Sequence, residues 1–83
     1  METRIAVIGI VVEEERPVEL LNEILHEYRD AIIGRMGIPY RQKGISIISI
    51  AVDAPQDTIS ALSGKVGKLP GVSSKTAYAG VKK

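Results

Sequence analysis

Few residues in this chain are of a type that does chemistry. His26 is the sole histidine among 83 residues, and there is no cysteine. Glu23 three positions before it and Asp30 four after give His26 a faintly metal-like helical spacing. A transition-metal site, however, asks for three or four ligands, mostly imidazole or thiolate. The expectation is a solvated histidine, with no bound metal and no cofactor. One histidine on an outer helix face also supplies no partner set for a serine nucleophile, so no enzyme activity is expected.

Two glycine-bearing stretches resemble phosphate or backbone grips. In "SGKVG", residues 63–67, a phosphate loop would need glycine at Ile59 and Ser or Thr at Val66, so the match fails. The stretch reads as a helix end, where glycine loosens the last turn and lysines meet its negative dipole. "GRMG", residues 34–37, has the spacing of a loop that clamps nucleic-acid backbone between two helices. Here it lies between strands, and base-stacking aromatics are absent. Nucleic acid is therefore not the expected partner; a nucleic-acid-binding module using the basic hairpin and the lysine tail stands as the alternative function.

Arg35, Tyr40, Arg41 and Lys43 remain, gathered around "GRMGIPYRQKG". Such a set could bind an anion or the acidic first helix of a neighbour. It could equally be a plain turn, because Pro39 and Gly44 are turn residues in their own right.

What positions these residues is one small domain, residues 1–83. A chain of this length buries only about 60–65% of its unfolded surface and has no apolar residues to spare for a second core. Apolar residues make up 45% and charged residues 25%, with no Phe or Trp, so Ile, Val and Leu must fill the core. The apolar run near the N-terminus is a strand and has no signal-peptide cleavage pattern. No stretch reaches the ~18 apolar residues of a membrane span, and a soluble cytoplasmic protein is expected. The net charge of +1 hides a segregation: residues 13–30 hold seven acids against Arg16 and Arg29, and from Lys65 onward there are five lysines and no acid. Most of this is solvated surface, though it could orient like subunits.

"RIAVIGIVV" reads as a strand over residues 4–12, apolar on both faces. Val18, Leu21, Leu25 and Tyr28 mark one face of a helix, entered at Pro17. Residues 31–40 read as a shorter strand interrupted by Gly34 and Gly37, and Gly37 and Pro39 weaken it enough to suit an edge. "GISIISIAV" is a strong strand, again apolar on both faces. Asp53 and Gln56 have the form of a capping box for a second helix carrying Ile59, Leu62, Val66 and Leu69. "LPG" stops that helix, and "VSSKTAYA" is the last strand.

The order strand, helix, strand, strand, helix, strand predicts an α+β, ferredoxin-like βαββαβ plait, with antiparallel sheet order 4-1-3-2 and two helices on one face. The doubly apolar strands, first and third, fall in the centre. One of their apolar sides then faces away from the helices, which soluble monomers rarely tolerate. A homo-oligomer formed through the sheet face or a strand edge is expected.

"GRMGIPY", "KGISIISI", "VDAP", "ISALSGK" and "LPGVSSKTAY" together resemble the small bacterial family of iron-only hydrogenase system regulators, through nearly the whole chain. The resemblance implies an ACT-like plait, close to the C-terminal ligand-binding domain of nickel-responsive regulators. It also implies a sensing or control role, with a small-molecule effector or a hydrogenase-system protein as partner. Nickel-responsive regulators bind metal through histidines and a cysteine, where the second and third strands here offer Arg35, Met36, Ser46 and Ser49; no nickel is expected. Those regulators begin with a ribbon-helix-helix segment, whereas this chain starts at its first strand, so direct operator binding is not expected. In ACT domains the effector sits at an interface near the first strand–helix loop. The likeness implies a pocket at Glu13, Glu14, Arg16, Pro17 and Val18 against a partner's strand edge, although "EEERPVE" lacks the usual glycine.

Overall fold

A computed structural model describes residues 2–13 and 18–80. Its elements are β1 (Arg4–Glu13), α1 (Val18–Glu27), a 3-10 turn (Arg29–Ala31), β2 (Ile32–Tyr40), a second 3-10 turn (Arg41–Lys43), β3 (Ile45–Ala54), α2 (Gln56–Gly67) and β4 (Val72–Tyr78). The strands form one antiparallel sheet in the order β2-β3-β1-β4. This is the ferredoxin-like plait that the hydrophobic pattern predicts, with β1 and β3 in the centre.

Alternation along the central strands explains the core. In β1, Ala6, Ile8, Ile10 and Val12 are buried, and opposite them Ile48, Ile50, Val52 and Ala54 of β3 are buried too. The register pairs Ile8 with Ile50 and Ile10 with Ile48. Leu21 and Leu25 of α1, and Ile59, Leu62 and Val66 of α2, close over this side. Each such residue contributes about 1.5–3 kcal/mol relative to an exposed position. Among the described residues no polar or charged side chain is buried.

The turns follow from two glycines. Gly44 has φ 64° and Gly71 has φ 73°, the left-handed region that other residues avoid. Gly44 donates to the Arg41 carbonyl at 3.1 Å, which closes the β2–β3 hairpin. Gly71 follows Pro70 and returns the chain into β4, where its carbonyl accepts from the Glu13 amide at 2.9 Å.

Three local expectations are modified. Gly34 and Gly37 do not interrupt β2, which runs unbroken along the sheet edge; the irregularity falls at Ile33, which the register skips. Bulges of this kind are tolerated at edges, where one side of the ladder is free. The capping box does not form: the residue before α2 is Pro55, and no side chain caps the helix. Asp53 stays in β3, and the Gln56 amide is taken up by Tyr78 and Ser60 at 2.6 and 3.1 Å and by Arg4. These partners hold the Gln56 side chain away from the Asp53 amide that a capping box would use. The lysine at the end of α2 does more than meet a helix dipole: Lys65 pairs with Glu27 of α1. Pro17 lies outside the described residues.

Ile50 sits fully buried at the centre of the sheet. Ile50→Val should lower unfolding free energy by about 0.5–1.5 kcal/mol, read as a lower urea midpoint at unchanged slope; an unshifted midpoint would contradict the core assignment.

Candidate functional site

The four basic-hairpin residues divide between the two sides of the sheet. Arg35 pairs with Ile50 in the register and so faces the helices, whereas Tyr40 pairs with Ile45 on the helix-free side. Arg41 and Lys43 lie in the turn beyond, both exposed. Five residues of extended chain, about 17 Å at ~3.3 Å each, separate Arg35 from Tyr40. "GRMG" is continuous strand, not a loop. Of the residues around the first strand–helix loop, Glu13 ends β1 and Val18 opens α1, both exposed. Glu14, Arg16 and Pro17 lie outside the described residues.

Arg35 instead stands in a groove between α1 and the edge strand β2. Its Nη2 donates to Asn22 Oδ1 across the groove at 3.3 Å. On one side of this strut is a cavity of about 480 Å³ lined by Asn22, Leu25, His26, Arg29, Ile32 and Arg35. On the other is a smaller one of about 260 Å³, mostly apolar, with Val12, Val18 and Ile48 among its walls. The groove remains open partly because position 37, which faces it, is glycine; a Cβ there would meet Ile48 Cγ1 at 3.9 Å, an ordinary contact. Arg29 opens the 3-10 turn that follows α1 and donates from Nη1 to the His26 carbonyl at 3.0 Å, with His26 Nε2 at 3.4 Å.

Sequence reasoning singled out Arg35 and His26 but not Asn22, Arg29 and Ile32. The spacing of Asn22, His26 and Arg29, i, i+4 and i+7, is a polar helical stripe that could have flagged them. Among the described residues no three His, Cys, Asp or Glu side chains cluster as a metal would require. Nor is any helix there long and apolar enough to cross a membrane.

The helix-free side of the sheet is the second feature. By register it presents Val7, Gly9 and Val11 of β1, Ile47 and Ser49 of β3, Met36, Ile38 and Tyr40 of β2, and Ser73, Lys75 and Ala77 of β4. Val7 is 45% exposed, Ile38 49% and Met36 59%, so these apolar side chains stand in solvent in the isolated chain.

In class, then, this is a two-layer plait with a helix-side groove and a bare apolar sheet face. Residues 4–76 match the family described as "TM1266-like: Iron-only hydrogenase system regulator, putative", and the chain belongs to that family. The protein TM1266 from Thermotoga maritima has a similar structure, with TM-score 0.89 and 40% identity, over 93% of this chain and 98% of that one. A protein of Saccharolobus solfataricus named "Putative nickel-responsive regulator" is 35% identical over 66 residues, 80% of this chain and 49% of the relative. The chain thus spans about half the length of that curated relative. A formyltetrahydrofolate deformylase from Pseudomonas putida KT2440 shares the fold at TM-score 0.62 and 15% identity, over 88% of this chain and 28% of that one.

Lys65 of α2 bridges the two helices at the surface: its Nζ donates to Glu27 Oε2 at 3.0 Å and lies 5.1 Å from the centre of the Tyr28 ring. Hydrogen bonding to the Glu27 carboxylate, and then to Tyr28, raises the Lys65 pKa above the ordinary lysine value. A raised pKa means that the native state holds this proton more tightly than the unfolded chain does. The resulting stabilisation is complete below the ordinary lysine range and is lost as pH rises through the raised value. In Glu27→Gln, the Lys65 amine should titrate at lower pH than in the wild type, followed by NMR of its side chain; an unmoved titration would remove the carboxylate as the cause.

Proposed function

We propose that this chain is a self-associating sensing module of the iron-only hydrogenase system, acting in the cytoplasm, and that two copies pack through their helix-free sheet faces. The observation that carries this reading is the apolar surface of Val7, Val11, Met36, Ile38 and Ile47, exposed on a chain whose two helices occupy the opposite side. Contiguous apolar patches above a few hundred Å² mark interaction surfaces on soluble proteins.

A second copy is the occupant that fits. Ten-residue central strands at ~3.3 Å per residue and four strands ~4.8 Å apart give a flat footprint on the order of 500 Å². That is commensurate with the roughly 800 Å² of accessible surface each partner contributes to an ordinary interface. Glu13 and Asp53 lie near the ends of β1 and β3, and Lys75 lies mid-strand on the outer strand β4, beside Gly9. Charge is thus kept off the two central strands except at their ends, as the depletion of charge at interface cores requires. Pairing through this face leaves the groove between α1 and β2 open to small molecules, which is what a sensing module requires.

Gly9 stands at the centre of the face, and a Cβ added there meets nothing within 4 Å. Gly9→Glu therefore leaves the fold intact, opposite Lys75 in the register, while placing a charge in the middle of the contact. Sedimentation should give a dimer or larger for the wild type and a monomer for Gly9→Glu; a monomeric wild type would overturn the reading.

A further inference from the structure

We infer that the larger compartment of the groove between α1 and β2 is a binding site for a small oxyanion, a carboxylate or phosphate carried on a compact apolar body with no ammonium group. This rests on the sensing part of the function proposed above and assigns the ligand's chemistry.

The lining residues set that chemistry. Two arginines line the cavity, Arg29 from the 3-10 turn after α1 and Arg35 from the edge strand. Each carries five N–H donors. Among the described residues their side-chain bonds run only to neutral acceptors: Arg29 to the His26 carbonyl and ring, Arg35 to the Asn22 amide oxygen. Neither has a carboxylate partner there. The bond from Arg35 to Asn22, at 3.3 Å, lies beyond the usual hydrogen-bond range and is readily exchanged for a charged acceptor. Arg29 covers the last-turn carbonyl that would otherwise repel an anion.

The rest of the lining narrows the class. Leu25, 3% exposed, and the half-buried Ile32 form an apolar floor, so the body attached to the anion is apolar. The volume of about 480 Å³ lies in the ordinary range for small-molecule sites, about 300–1,000 Å³. Among the described residues no acidic side chain lines the cavity. An ammonium group on the ligand would therefore lose its hydration against two guanidinium groups and gain no ion pair, which selects against amino acids.

The test is an NMR titration of the full chain with 4-methylpentanoate, with 3-methylbutyl phosphate and with leucine, which adds an ammonium to the first probe. Either of the first two should shift the amide resonances of residues 22–35, and whichever saturates at lower concentration identifies the carboxylate or the phosphate as the preferred anion. Leucine should bind at least about tenfold more weakly, and Arg35→Gln or Arg29→Gln should weaken the preferred probe by about tenfold. Both arginines are exposed, and a thermal melt of each variant checks that it is folded. Absence of shifts at about 10 mM of either anion, equal binding of leucine, or undiminished binding by both folded variants would overturn the inference. Sedimentation of the same samples separates the two proposals: an oligomer that binds neither anion removes this site alone, and a monomer that binds removes the self-association alone.

Discussion

A four-stranded sheet has two faces, and two helices in right-handed crossovers shelter only one of them. Everything else in this molecule depends on that inequality. The central strands are apolar in both directions: Ile8, Ile10, Ile48 and Ile50 point to the helices and are buried, while Val7, Val11 and Ile47 point the other way and remain exposed. A residue one step along either strand changes sides, so the same short sequences "AVIGIVV" and "ISIISIAV" write a core and an uncovered surface at once. The relatives point to a regulatory family, and the uncovered surface is where the proposed self-association would take place.

The fold was legible because pattern and topology agree without sharing information. Hydrophobic runs mark β1 and β3 as strands apolar on both sides, and the plait independently places the first and third strands in the middle. Pro39 and the glycines of β2 likewise point to an edge, where a missing ladder donor is harmless. The capping box was not legible because the same Gln56 has partners distant in sequence, Arg4 and Tyr78, that a local motif does not contain. Long-range competition for one side chain is invisible to spacing.

The site divides in the same way. Charge drew attention to Arg35, but grouping it with Tyr40, Arg41 and Lys43 follows proximity along the chain, and in a strand successive residues look in opposite directions. The register assigns Arg35 and Tyr40 to opposite sides of the sheet. Asn22, His26 and Arg29 join Arg35 only because the first crossover lays α1 beside the outer strand, a tertiary fact with no counterpart in neighbouring letters. Gly37 then reads differently: besides marking an edge strand, it withholds a side chain from the groove.

The two helices are anchored unequally. Gln56 clamps α2 to both Arg4 and Tyr78, and Ser63 meets Thr76 at 3.1 Å, whereas among the described residues α1 reaches the sheet by a side-chain hydrogen bond only through Asn22 and Arg35. The first helix is consequently held to the sheet mainly by the buried Leu21 and Leu25, with the Lys65–Glu27 pair as a polar link to the second helix. Beneath it, β2 forms one wall of the groove with Arg35 and Gly37 while its other side bears the exposed Met36 and Ile38, so the thickness of a single strand separates the groove from the bare apolar surface.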